Sequence, residues 1–103
     1  MKVSMGNFRK SGKPRHILVH VDNWDAYNCD LTLALITVRL LKKFKLINVG
    51  YPQELNPKMW NDTLDKMIFS MQKIANQDVT SANIDEVREG LKLFGEYFLD
   101  LWY

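Results

Sequence analysis

The first clear pattern along the chain is an alternation of positions shortly after the N-terminus. The β-branched residues Ile17, Val19 and Val21 fall on every second position, which is typical of a strand. Asp22 and Asn23 follow directly, and both residue types favour turns. The pattern therefore predicts one short strand that ends at this pair.

This predicted strand has no obvious partner in the rest of the sequence. The segment from Lys2 to Ser4 is at most a weak strand. A lone strand leaves backbone donors and acceptors unpaired, which is costly. Either the N-terminal segment folds back on it, or the same strand of a second molecule pairs with it about a two-fold axis. We prefer the second arrangement.

The next pattern predicts a helix from Asp30 to about Leu46. Asp30 is expected to cap it, because a carboxylate there can accept hydrogen bonds from amides of the first turn. The polar side is narrow, with Thr32, Arg39 and Lys43 as its main members. Apolar positions cover the remainder: Leu31, Leu33, Leu35, Ile36, Val38, Leu40, Leu41 and Phe44. Such a helix needs cover on more than one side, either from two neighbouring helices alone or with a partner subunit as the natural supplement.

A second helix is expected to begin at Asn56 and Pro57, since proline suits the first helical position. It runs to about Asn76 and is the most clearly amphipathic segment of the chain. Its apolar face is formed by Trp60, Leu64, Met67, Ile68, Met71, Ile74 and Ala75.

A third helix is expected after Asn83, which together with Glu86 resembles a capping box. Its apolar face contains Ile84, Val87, Leu91, Phe94, Phe98, Leu101 and Trp102, so the helix is expected to continue to the C-terminus. Gly90 and Gly95 would weaken it unless a close helix contact requires them.

The predicted fold class is therefore mainly α, with one short N-terminal strand followed by three amphipathic helices and the strand paired across an oligomer interface. Residues 1–14 are rich in Lys, Arg, Gly, Ser and Asn and are expected to form a flexible basic arm. Residues 15–103 are expected to form a single helical domain. A chain of 103 residues buries a small share of its surface, which also favours a core shared between subunits.

Composition limits the possible partners. Hydrophobic residues make up 47% of the chain and charged residues 25%, as in ordinary globular proteins. A net charge of +2 is too small to imply general affinity for nucleic acid. Cys29 is the one cysteine, so a reducing cytoplasm is expected, and no apolar run approaches the ~20 residues that span a bilayer.

Potentially functional side chains concentrate where the predicted strand passes into the first helix. They are His20, Asp22, Trp24, Asp25, Tyr27 and Asp30. Three carboxylates and a histidine could bind a divalent cation, but their spacing matches no recognised metal motif. A turn role for Asp22, a solvated Asp25 and a capping Asp30 explain the same residues more simply. We therefore expect no catalytic set and no cofactor, and we count Tyr97 among the candidate ligand-binding residues.

A longer pattern extends over nearly the whole chain after residue 14. Its residues, in order, are Asp22, Trp24, Asp25, Tyr27, Asp30, Thr32, Leu33, Ala34, Leu40, Leu41, Lys42, Gly50, Pro52, Trp60, Leu64, Asp65, Met67, Ile68, Gly90, Leu91, Phe94, Gly95, Tyr97, Leu101 and Trp102. The pattern resembles a family of small uncharacterised proteins from tailed bacteriophages. Relatives are often longer and more acidic before the tryptophan, and often have Glu at the position of Lys66. Any catalytic or metal role of that acid is therefore in doubt here.

The resemblance implies a phage-encoded protein that works in the bacterial cytoplasm, and it supplies no activity. Our leading hypothesis is a noncatalytic, oligomeric accessory protein that binds a host protein or ligand, for example a nucleotide signal of antiviral defence. One alternative is a metal-dependent hydrolase that uses His20, Asp22, Asp25 and Asp30. Another is a structural or assembly factor of the virion.

Overall fold

The structure is a computed structural model that describes residues 1–5 and 17–102. These residues form a mainly helical fold with a small N-terminal hairpin. The elements are β1 (Lys2–Met5), β2 (Ile17–His20), α1 (Asn23–Tyr27), α2 (Cys29–Ile47), α3 (Pro57–Ala75) and α4 (Ile84–Glu96), followed by a 3-10 turn at Phe98–Asp100. No described helix has the length and apolar character needed to cross a bilayer.

The predicted strand is present as β2, but its partner lies in the same chain. β1 and β2 pair antiparallel, with Lys2 opposite His20 and Val3 opposite Val19. The structure therefore shows the intramolecular pairing, and the two-fold pairing that we preferred stays a prediction. Strand β1 also occupies part of the segment expected to be a flexible arm, because folding back satisfies its backbone groups. Residues 6–14 of that arm lie outside the described residues.

The first predicted helix begins differently from expectation. A separate short helix, α1, precedes it, and Asn28 closes α1 through hydrogen bonds from its backbone and side-chain nitrogens to the Trp24 carbonyl. The Asn28 carbonyl then accepts from the Thr32 amide at the start of α2. Asp30 therefore lies inside the first turn of α2 and is not its cap. A carboxylate in that turn still favours the helix dipole.

Helix α3 confirms its prediction and forms the centre of the core. The Asn56 side chain accepts a hydrogen bond of 2.8 Å from the Met59 amide, and Pro57 occupies the first turn. The buried hydrophobic side chains of α3 come from the predicted apolar face, namely Trp60, Leu64, Met67 and Met71, and the polar Ser70 is buried with them. Helix α3 packs against α2 on one side and against α4 on the other. The three helices therefore lie side by side in one layer with α3 in the middle, and the fold measures 46 × 39 × 19 Å.

Helix α4 ends at Glu96, earlier than expected, and its predicted capping box does not form. The Asn83 side chain instead accepts from the Thr80 amide at 2.8 Å and donates to the Asp78 carbonyl at 2.9 Å. It therefore stabilises the turn before the helix, because an asparagine side chain can serve a turn as readily as a helix end. Beyond α4, Trp102 is exposed.

Gly90 is required by the crossing of α3 and α4. A Cβ atom at this position would lie 1.8 Å from Ser70 Oγ and 2.3 Å from the Lys66 carbonyl oxygen. The Ser70 hydroxyl donates to the Val87 carbonyl at 2.7 Å in the same contact. Gly95 has nothing within 4 Å of such a Cβ atom, so close packing explains only the first glycine.

Candidate functional site

The junction between β2 and α1 brings together three of the candidate site residues. His20 Nε2 lies 3.1 Å from Asp22 Oδ1, and both side chains are exposed. The Asp22 amide donates to Asp25 Oδ2 at 2.9 Å, which links the turn to the first turn of α1. The amino group of Met1 lies 3.2 Å from the same Asp25 oxygen. We call these four residues the junction cluster.

Asp25 is buried, with 7% of its surface exposed, and not solvated as expected. Its backbone carbonyl accepts from the Thr32 hydroxyl at 2.9 Å, which joins α1 to α2. The hydrogen bond from the Asp22 amide lowers the pKa of the Asp25 carboxyl, burial opposes this, and the positive groups at Met1 and His20 lower it further. Asp25 is therefore charged at neutral pH and holds the junction in place.

The two aromatic candidates at the junction face solvent. Trp24 is 59% exposed and Tyr27 is 81% exposed, although both lie on the short helix α1. Large aromatic side chains that are left in water on a small protein are suited to bind another molecule. They are the candidate residues whose placement favours an intermolecular contact.

Two candidate residues lie away from the junction cluster. Asp30 borders a surface depression that it shares with Gln77 and Arg88, near the start of α4. Tyr97 packs edge-on against Trp60, with 5.7 Å between ring centroids, beside the helical core. Burial is the main cause that raises the pKa of Tyr97, and the nearby Glu96 adds to it. The structure therefore does not bring the whole candidate set into one site.

The proposed metal ligands do not converge in the described part of the chain. Within residues 1–5 and 17–102, no group of three or more His, Cys, Asp and Glu side chains could hold a metal ion. The Oδ2 oxygen of Asp25 already has two partners, the Asp22 amide and the Met1 amino group. The ion pairs and hydrogen bonds of the junction cluster stabilise the turn between β2 and α1.

A broad apolar surface surrounds the junction, and the sequence patterns did not predict its extent. Ile17, Leu18, Val19 and Val21 of the hairpin region are all exposed, and among the described residues neither strand packs against a helix. A two-stranded hairpin is marginally stable without such packing. The signal that could have indicated this was Leu18, because it adds an apolar residue to the face that His20 would otherwise make polar.

Helix α2 also exposes apolar side chains. The side chains that α2 buries are mainly small or medium in size, namely Thr32, Ala34, Val38 and Leu41. Leu33 and Leu40 are among the apolar positions expected to need cover, yet they are 59% and 58% exposed.

Comparisons of the chain with protein-family models, with curated proteins and with solved structures found no match.

Proposed function

We propose that the chain is a noncatalytic phage accessory protein that acts as an oligomer and binds a host protein. The observation that supports this proposal is the apolar surface formed by the hairpin together with Trp24 and Tyr27. This surface is exposed on both faces of the hairpin and receives no helix among the described residues. Contiguous exposed apolar surface on a small protein is typical of an interaction site.

The charges at the junction favour a protein partner over a nucleotide. Asp22 is exposed beside Trp24, and Asp30 is exposed on the following helix. A base could stack on the Trp24 ring, but its phosphates would lie near the carboxylates of Asp22 and Asp30, and the Met1 amino group at the junction is already paired with Asp25. A protein with an apolar patch bordered by Lys or Arg would complement the same surface.

Affinity capture from a bacterial lysate tests the proposal, with Trp24→Ser/Tyr27→Ser as the test variant. Trp and Tyr are enriched among interface hot spots, whose truncation costs about 2 kcal/mol or more. Loss of both should therefore reduce the retained host protein by more than about tenfold. Tyr51→Ser is the matched control, because Tyr51 is also exposed but lies in the α2–α3 loop.

The proposal requires a host protein that the wild type and the Tyr51→Ser variant retain in stoichiometric amount. Equal retention by the double variant would contradict a role for the junction surface. Absence of any stoichiometric partner would contradict binding of a host protein altogether. Mass spectrometry of purified phage particles adds a direct test of the assembly-factor alternative, which predicts the chain in the particle.

The nucleotide hypothesis is tested by isothermal titration of the purified protein against cyclic and ADP-ribose-type nucleotides. Because the junction presents carboxylates, we expect no measurable heat of binding for any of these nucleotides. Tight binding to the wild type that is lost in Trp24→Ser would reverse the choice of ligand. Such a result would mean that a cationic side chain contacts the phosphates of the bound nucleotide.

A further inference from the structure

Helix α2 has a second apolar stripe, on the side away from α3. Its positions are Cys29, Leu33, Ile36, Leu40, Lys43 and Ile47, which we call the α2 seam. The intervals alternate between four and three residues over the whole helix. This is the a/d spacing of a helix that packs along another helix. Five of the six seam residues are apolar.

The described chain leaves most of the seam exposed, although Ile36 is half-buried and Leu40 borders a surface depression with Phe98. Leu33, Leu40 and Ile47 are large hydrophobic residues that remain exposed, and Cys29 is exposed as well. The residues that α2 buries against α3, among them Ala34 and Val38, lie on a different face. The alternating spacing therefore serves a contact that one copy of the chain does not make.

We infer that the α2 seam is the interface with a second copy of this chain, with the two α2 helices packed antiparallel about a two-fold axis. This interface would form the oligomer of the proposed function, and it rests on that part of the proposal alone. Antiparallel helices pair a positions with d positions. The seam then matches itself: Cys29 lies opposite Ile47, Leu33 opposite Lys43, and Ile36 opposite Leu40 of the second copy.

Charge selects the antiparallel direction. Parallel helices would place Lys43 opposite Lys43 of the second copy, in the centre of the seam. Antiparallel helices instead place Lys43 about 4.5 Å along the axis from Asp30 of the second copy, within the reach of a lysine side chain. The two helix dipoles are also opposed in that direction. The same register brings the two Arg39 residues within about 3 Å of each other along the axis, but at the exposed edge of the seam, where a like-charge contact costs less than Lys43 against Lys43 at its centre. Each Arg39 guanidinium donates to the Leu35 carbonyl of its own helix at 2.9 Å.

The native cysteine gives a direct test of this register. In the antiparallel pair the two Cys29 residues are separated by about 27 Å along the axis, far beyond disulfide range. Cys29 and position 47 of the second copy are adjacent. The variant Ile47→Cys, oxidised as purified full-length protein, should therefore form a covalent dimer on a non-reducing gel, while the wild type should not. Circular dichroism confirms that the variant is folded.

Two matched controls complete the experiment. Leu46→Cys lies one residue away and is 82% exposed, but it is off the seam, so it should not cross-link. Cys29→Ser/Ile47→Cys should also stay monomeric on the gel, because the bond requires both positions. Cross-linking of the wild type through Cys29, or equal yields for Leu46→Cys and Ile47→Cys, would overturn the inference. Absence of cross-linking in Ile47→Cys would overturn it too, without affecting the host-protein capture.

Discussion

Helices α2 and α3 each have 19 residues, but they distribute their apolar side chains in different ways. Helix α3 directs large residues such as Trp60 and Leu64 into the core and leaves polar residues on its other side. Helix α2 gives the core smaller residues and leaves Leu33 and Leu40 in solvent. One apolar face of α2 therefore packs within the chain, and a second faces solvent, which is the surface that we propose for a second copy.

Replacement of one leucine on each helix should give the largest contrast. Leu64→Ala removes a buried side chain from α3 and should lower the free energy of unfolding by about 2–5 kcal/mol. Leu40→Ala should change it by less than about 0.5 kcal/mol in dilute protein, because Leu40 is then a surface residue. Urea unfolding measured by circular dichroism at low and at high protein concentration compares the two variants.

Protein concentration should distinguish the Leu64→Ala and Leu40→Ala variants further, because association stabilises only the folded state. The loss in Leu64→Ala should be present in dilute and in concentrated protein. The loss in Leu40→Ala should grow as the wild type begins to associate. A large loss for Leu40→Ala in dilute protein would mean that Leu40 belongs to the core of a single chain.

The α3–α4 contact offers a second, smaller contrast between two glycines of α4. Gly90→Ala places a methyl group against Ser70 and a backbone carbonyl, and should destabilise the fold by about 1–3 kcal/mol through overpacking. Gly95→Ala meets open space and should stabilise it by about 0.4–1 kcal/mol. Thermal and urea unfolding show whether each variant is less or more stable than the wild type. Similar stabilities for the two would contradict the close crossing at Gly90.

The smallest expected effect concerns the Asp25 carboxylate of the junction cluster. The pKa of Asp25 is lower in the folded chain than in the unfolded chain, so its carboxylate stabilises the fold above the unfolded pKa of about 3.9. This stabilisation is lost as the pH falls through the lower, folded pKa. Asp25→Asn should therefore be less stable than the wild type at neutral pH, and the gap should close in acid. Unfolding curves from pH 7 to about pH 2 test this, and a gap independent of pH would contradict it.

The sequence predicted the helical part of the fold well, because local signals and core packing agree there. The Asn56 cap, the proline after it and the apolar face of α3 all specify the same helix, which the structure confirms. The end of α4 was predicted less well. Apolar residues continue through Phe98 to Trp102, but the backbone leaves the helix at Glu96, since periodicity alone does not fix where a helix ends.

The junction was harder to predict because its contacts join residues that are distant in sequence. The pairing of β1 with β2 and the contact between Met1 and Asp25 both depend on the return of the N-terminal segment. Short motifs do not report such contacts. The pairing within the chain also removes the unpaired strand as a reason for self-association. The exposed face of α2 and the uncovered hairpin are the reasons that remain.

Sedimentation equilibrium of the purified wild type beside Leu33→Asp/Leu40→Asp tests most directly whether a second copy covers the α2 seam. We predict that the wild type approaches twice the chain mass as concentration rises. The double variant should stay at the mass of one chain with the same helical circular dichroism, because charge on the seam opposes pairing without entering the core. A wild type that remains a folded monomer throughout, or a double variant that associates equally well, would contradict the account.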